Sequence, residues 1–319
     1  MLSMLDDWAN DPLDGETDQE LIEVFSAFRE ADPNGERVGN LMRRTLDQLY
    51  DGQRTGRYSW EQLHKTERTH FGTLFEINLR REFDDVIDEP AAGQTLDYRV
   101  AGLDVDCKFS QKMFGWMIPP EAIGHLLVVG YVDDRASEFA FGVVRASVAH
   151  CRTAANRDAK VQLNPAGRDA VRWLQRPGEL PPNVLLQCDP DALAAIFAPP
   201  SGQQRVNELL RRVTGQRIGR NTVATVAQQD DFMKRVRGNG GARTLLRPEG
   251  IVILGHHARP RALAAELGLP KPERGEVVSV RLIREDINDA RAVEIDRVGW
   301  RVAEDGEAVG GAGPFVPFM

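Results

Sequence analysis

Cysteine is scarce: Cys107, Cys151 and Cys188 are the only three in 319 residues, with no CxxC pair. That odd, scattered set excludes a disulfide framework and suits a reducing compartment, so a cytoplasmic home is expected. His256 and His257 follow a strand-like run without cysteines at zinc spacing, and His64 and His70 sit on a polar helix. No stretch approaches the roughly 20 apolar residues that span a bilayer, so no membrane partner is expected. The opening MLSMLDDWANDPLDGE lacks the basic and apolar regions of a secretory leader. No GxxxxGK[ST] loop occurs, so no nucleotide cofactor is expected. No internal repeat is present, which leaves out a solenoid.

What is present suits ordinary globular cores. Hydrophobic residues make up 42% and charged residues 28%, and 319 residues suggest two domains. The net charge of −8 argues against a polyanionic partner until its distribution is read. Residues 1–40 hold eleven acids against Arg29 and Arg37, a balance of −9. Residues 201–247 hold ten basic residues against Glu208, Asp230 and Asp231, a balance of +7. Such asymmetry hints at nucleic-acid contact by the basic part, although a solvated basic helix face gives the same charge.

Apolar residues at helical spacing (Leu21, Ile22, Val24, Phe25, Phe28, then Leu41, Leu46, Leu49) predict helices over about 16–50. A further helix is predicted over Thr69–Phe83, then a hairpin at 95–109 and strands at 125–132 and 138–146. This is a small α/β layer. The boundary is placed within Pro-rich 165–185, giving domains 1–170 and 186–319 joined by a linker, 171–185. In the second part, helical patterns at VNELLRRV and TVATVA precede strands at 250–257 and 276–283, an order that suits a winged helix-turn-helix. The tail reads as an irregular arm.

The hairpin carries the chemistry. In DYRVAGLDVDCKF, alternation puts Asp104, Asp106 and Lys108 on one face and Val105, Cys107 and Phe109 on the other. Asp97 lies on the partner run across Ala101-Gly102. Carboxylates and a lysine so placed suit phosphodiester hydrolysis: hard oxygens hold Mg²⁺, and the lysine orients water or offsets negative charge. A D-x-K tripeptide alone also fits a solvated hairpin. Glu76, on the preceding helix, supplies a third carboxylate, and the helix–hairpin–strand order resembles the core of the PD-(D/E)xK nucleases.

A wider resemblance rests on TLDQLYDGQRTGRY (45–58), HKTERTHFGTLFEINLRREF (64–83), VDCKFS (105–110), WMIPPEAIGH (116–125), residues 218–243 and LLRPEGIVILGH (245–256). Through these blocks the chain resembles the NaeI family of restriction endonucleases. The resemblance implies a restriction-endonuclease-like mixed sheet flanked by helices, followed by a winged helix-turn-helix domain of the catabolite-activator type. It implies a type IIE homodimer that cuts double-stranded DNA with Mg²⁺ at a palindromic GC-rich site, GCCGGC, and is activated by a second DNA site. Glu76, Asp97, Asp106 and Lys108 take the catalytic places, the three carboxylates holding metal.

LYDGQR looks like the KxDG adenylation motif of DNA ligases, with Asp51 and Gly52 matching and Leu49 where the lysine would stand. Leucine has no nucleophilic nitrogen, so adenylation there is excluded. The plain structural reading is a helix end followed by an Asp-Gly turn. For DNA contact in the second domain the candidates are Arg217, Arg220, Asn221, Gln228, Lys234, Arg235, Arg237, Asn239 and Arg243. The register stays open between RNTVATVAQ and DDFMKRVR as the reading helix. In the loop after the hairpin, Trp116, Pro119 and Pro120 supply rigidity, and Glu121 or His125 could reach a groove. His125 also reads as a packing residue at the start of the strand. The alternative function is a catalytically silent, sequence-specific DNA-binding protein.

Overall fold

In a computed structural model, which describes residues 11–90, 93 and 95–316, the chain divides into two units. One comprises the residues up to Leu49 with His64–Pro181; the other comprises Tyr50–Leu63 with the residues from Pro182 onward. The first ten residues, which open the acidic N-terminal stretch, lie outside the described residues. Among those described, no helix is long and apolar enough to cross a membrane.

In the first unit, α1 (Gln19–Ala31) buries Leu21, Val24, Phe25 and Phe28, the spacing of a one-sided helix. Asp18 caps it by accepting from the Leu21 amide. Next come α2 (Glu36–Tyr50) and the short α3 (Gly52–Thr55), which falls in the second unit. Helix α4 (Lys65–Glu82) buries Phe71, Phe75 and Leu79. Six strands then form one sheet in chain order: β1 (Ile87–Asp88), β2 (Tyr98–Val100), β3 (Leu103–Ser110), β4 (Leu126–Asp133), β5 (Glu138–Arg145) and β6 (Arg172–Glu179). Only β3 and β4 run parallel.

Ala101 and Gly102, with φ of 51° and 78°, make the two-residue turn between β2 and β3, the positive-φ pair that a tight hairpin requires. Phe109 of β3 packs on Phe71 and Phe75, at 4.3 and 5.3 Å between ring centres, and so holds α4 against the sheet. Phe28 meets Phe141 edge-on at 5.4 Å, which holds α1 on β5. Helices packed on a mixed sheet fit a restriction-endonuclease-like core. The expected linker 171–185 is corrected: β6 occupies most of it, preceded by α5 (Pro165–Asp169). Pro177 is tolerated because β6 is the outermost strand of the sheet.

The second unit contains α6 (Val184–Gln187), α7 (Pro190–Phe197), α8 (Gly202–Arg212), β7 (Arg217–Gly219), α9 (Arg220–Ala227), α10 (Ala242–Leu245), β8 (Ile251–Gly255), α11 (Ala258–Glu266), β9 (Glu276–Glu285), β10 (Val293–Ile295) and β11 (Val298–Val302). Its sheet runs β10-β11-β9-β7, with β8 also paired to β9. Val206, Leu209 and Leu210 of α8 share a core with Val223 and Val226 of α9 and with Ile218, Ile251 and Ile253. The register that makes DDFMKRVR a reading helix is not what forms: Phe232–Val236 is a single 3-10 stretch. The described part of the tail, up to residue 316, lacks regular structure yet is docked, since Arg247 Nε donates to the Gly313 carbonyl at 2.9 Å and Gly313 N donates to the Arg247 carbonyl at 2.9 Å.

Candidate active site

The hairpin turn fixes Asp97 just before β2, opposite the middle of β3, where its Oδ2 accepts from the Cys107 amide at 2.8 Å. That bond inserts the carboxylate beside Asp106 and Lys108. Asp106 is only 4% exposed, a depth at which an ionised carboxylate needs a partner. The Lys108 ammonium supplies it, with Nζ 2.5 Å from Asp106 Oδ2 and 3.8 Å from Asp97 Oδ2. Nζ also donates to the Cys107 carbonyl at 2.9 Å. Glu76 is half-buried on α4, and its carbonyl accepts from the Tyr98 hydroxyl at 2.5 Å, which ties the helix to the hairpin.

Electrostatics bind the four side chains into one group. Burial pushes the Asp106 carboxyl up to about 7 against the pull of Lys108, and Asp97 adds to the rise. Burial likewise raises Glu76, Asp97 raises it further, and Lys108 draws it back. Burial works against the Lys108 charge, but the Asp106 and Asp97 carboxylates outweigh it and hold the ammonium above its ordinary range. Among the described residues, no three His, Cys, Asp or Glu stand grouped around one point ready to hold a metal ion. The three expected ligands are therefore close enough to perturb one another without forming a finished cage. Asp104 points elsewhere, 3.7 Å from Arg99.

A buried acid–lysine pair on a strand, with two further carboxylates in its field, can position water and offset charge on a phosphodiester. Comparison with known proteins decides the lineage. Residues 22–311 match the family described as Restriction endonuclease NaeI. The chain is 48% identical over 310 residues to the Type II restriction enzyme NaeI of Lentzea aerocolonigenes, covering 95% of this chain and 96% of that protein. The chain belongs to the NaeI family. As a NaeI-family member it is a type II restriction endonuclease, a site-specific deoxyribonuclease.

In this NaeI-family chain the expected DNA-contacting residues stand in several settings. Arg237, Asn239 and Arg243 come together around a cavity of about 860 Å³ in the second unit, with Arg247, His257 and Phe315 also lining it. Burial lowers the Arg243 guanidinium to about 10. Arg220 and Asn221 are exposed at the start of α9, with the Arg220 guanidinium 5.3 Å above the Phe232 ring, and Gln228 is exposed at the end of α9. Others are engaged with acids: Arg217 with Glu276 at 3.7 Å, Lys234 with Asp231 at 3.6 Å, and Arg235 with Asp231 at 3.0 Å. Between its ends α9 is closed, since Val223–Ala227 are all buried.

The ligase-like stretch explains part of that burial. Leu49 is buried at the end of α2, Asp51 takes a left-handed φ of 46°, and Gly52 opens α3. A Cβ at Gly52 would lie 2.1 Å from Thr225 Oγ1, so only glycine lets α3 lie across α9. Gln53 donates to Asp230 at 3.2 Å, just past the same helix. Trp116 is 1% exposed and donates to the Gly130 carbonyl at 2.9 Å, which anchors the loop in the core of the sheet. Glu121 and His125 are exposed, so the reading of His125 as a packing residue at the start of the strand is corrected. Sequence reasoning did not anticipate the Tyr98 hydroxyl or the Cys107 amide as positioning groups, because both bonds join residues paired only by the hairpin and the helix above it.

Proposed function

We propose that this endonuclease hydrolyses double-stranded DNA at a palindromic GC-rich site, GCCGGC, with Mg²⁺, working as a cytoplasmic homodimer activated by a second copy of that site. The observation that carries the catalytic part is the Asp106–Lys108 pair with Asp97 seated beside it. The donor set fits magnesium: Glu76, Asp97 and Asp106 are hard oxygen ligands, and the raised Asp106 and Glu76 carboxyls mark a place where added positive charge is favoured. When bound, the ion would lower the pKa of a coordinated water and offset charge on the scissile phosphate.

The protein's own groups do the rest. Lys108, held cationic by its two carboxylate neighbours, orients the attacking water and balances charge as the phosphate gains a fifth oxygen. Asp97, fixed by the Cys107 amide, keeps the lysine in place. Water attacks phosphorus directly, one P–O bond forms as another breaks, and the leaving oxygen takes a proton without a covalent enzyme intermediate. The second unit serves as a winged helix-turn-helix for the activating DNA. Its contacts are Arg217, Arg220, Asn221, Gln228, Lys234, Arg235, Arg237, Asn239 and Arg243.

Plasmids with no, one or two GCCGGC sites, incubated with Mg²⁺ or EDTA, test the finer reading. Mg²⁺-dependent cutting at the site, faster on the two-site plasmid, is expected. Sharp fragments that map elsewhere would refute the site. Equal rates on one-site and two-site DNA, unchanged by added site-bearing oligonucleotide, would refute the activation.

A further inference from the structure

A second cluster of charge lies in the first unit, outside the Asp106–Lys108 site. Arg168 and Arg176 border a pocket of about 510 Å³ together with Phe114, Trp173 and Asp169. The Arg168 guanidinium lies 5.4 Å from the Phe114 ring centre, and the Arg176 guanidinium lies 5.5 Å from Phe114 and 5.0 Å from Trp173. Phe114 and Trp173 meet edge-on at 6.1 Å, so the rings form one platform. A guanidinium laid flat on a ring is held in place while its edges stay available for hydrogen bonds. Among the described residues, neither side chain has an ion pair or hydrogen bond, and the Arg168 Nε is buried without a hydrogen-bond partner. The acid in the pocket, Asp169, is exposed and pairs with neither.

Sheet register places this platform relative to the active site. Lys108 pairs with Val129, Val129 with Gly142, and Gly142 with Trp173, a single row across four strands. Residues directly opposite share a face, so Trp173 lies on the face that carries Lys108. Gly142 has no side chain, and a Cβ there would come 3.0 Å from the Trp173 ring, so the indole is seated on the glycine. Three strand spacings of about 4.8 Å separate the ends of the row by about 14 Å. A duplex whose axis lies along this row rises about 3.4 Å per nucleotide, so the row spans roughly four nucleotides of one strand.

We propose that Arg168 and Arg176, supported by Phe114 and Trp173, form a phosphate-binding site for the DNA backbone that holds the duplex against Asp106 and Lys108. The inference rests on the nuclease reading above, and the ligand is a phosphodiester. Planar guanidinium edges match paired phosphate oxygens, and contacts of this kind set register without reading sequence.

The test uses the full-length protein and a GCCGGC duplex, with saturating activator duplex and Mg²⁺, in single-turnover cleavage. In the double variant Arg168→Gln/Arg176→Gln, the DNA concentration for half-maximal rate should rise roughly tenfold to a hundredfold. The rate at saturation should stay within about twofold. The slope of log affinity against log salt should fall by about 1 to 2, near 0.9 per lost phosphate contact. In parallel, single methylphosphonates are scanned along each strand. One about four phosphates from the cut should weaken the wild type about tenfold and leave the double variant unaffected. The conservative Arg168→Lys/Arg176→Lys variant covers the case in which the glutamines disturb folding, and it should keep most of the salt slope. An unchanged slope, or a scan in which no phosphate near that distance matters to the wild type, overturns the proposal. Absence of cleavage by the wild type would instead remove the nuclease reading beneath it.

Discussion

Removing the Lys108 ammonium should make stability depend on pH in a way the wild type does not. Asp106 is 4% exposed, and among the described residues its one close ion-pair partner is Lys108, 2.5 Å away. Breaking a buried pair by deleting one member costs about 3–5 kcal/mol if the survivor must stay charged. Asp106 has an escape, because burial already lifts its carboxyl to about 7. Without the lysine its folded pKa rises further, and it takes a proton instead. A carboxyl whose folded pKa lies above its unfolded value destabilises the fold as pH rises from the unfolded pKa to the folded one. The loss is about 1.4 kcal/mol per pH unit and levels off above. In the wild type this loss ends near pH 7; in Lys108→Met it continues beyond. The variant should therefore cost under about 1 kcal/mol at pH 6 and about 2–3 kcal/mol at pH 9. Urea denaturation at both pH values, with EDTA present, reads the difference. Adding Asp106→Asn should remove most of the pH dependence of that cost, leaving the part carried by Glu76. A cost for Lys108→Met that is the same at pH 6 and pH 9 would show that Asp106 is not the buried acid described here.

Further outcomes are expected at other positions. Glu76→Gln should lower cleavage at least about a hundredfold yet leave the melting temperature unchanged or raised, because burial and Asp97 both disfavour the glutamate charge; a fall in both would make the residue structural. Arg43→Ala should destabilise the first unit by about 3–5 kcal/mol, since it removes the guanidinium that pairs with the buried Asp134 carboxylate. Arg43→Met/Asp134→Leu should recover much of that in the same melt. Gly52→Ala should cost about 1–3 kcal/mol in chemical denaturation by driving a methyl group onto Thr225 and the Arg57 carbonyl. A neutral result there would mean that α3 does not lie on α9.

The parts legible in the sequence are those whose signals are local. The hairpin could be read because Asp97, Asp106 and Lys108 lie within twelve residues, joined by a turn whose Ala-Gly pair takes positive φ. The apolar runs of β4 and β5 announced buried strands in the same way. β6 was hidden, because Trp173–Glu179 contains a proline and polar residues that only an outermost strand accommodates. The passage of residues 50–63 into the second unit was also hidden, since Gly52 and Thr225 are 173 positions apart and leave no periodic trace. Burial of Thr225 on α9 had the same cause, since it is covered by α3. The Arg168–Arg176 platform draws on residues 114, 168, 173 and 176, which meet only through sheet register.

The most direct measurement is cleavage of a supercoiled plasmid bearing two GCCGGC sites by wild type and Asp106→Ala, with Mg²⁺ and with EDTA. Discrete fragments in Mg²⁺ alone, lost in Asp106→Ala while site-specific DNA binding persists, are the predicted result. Undiminished cutting by Asp106→Ala would contradict the placement of the active site on the hairpin.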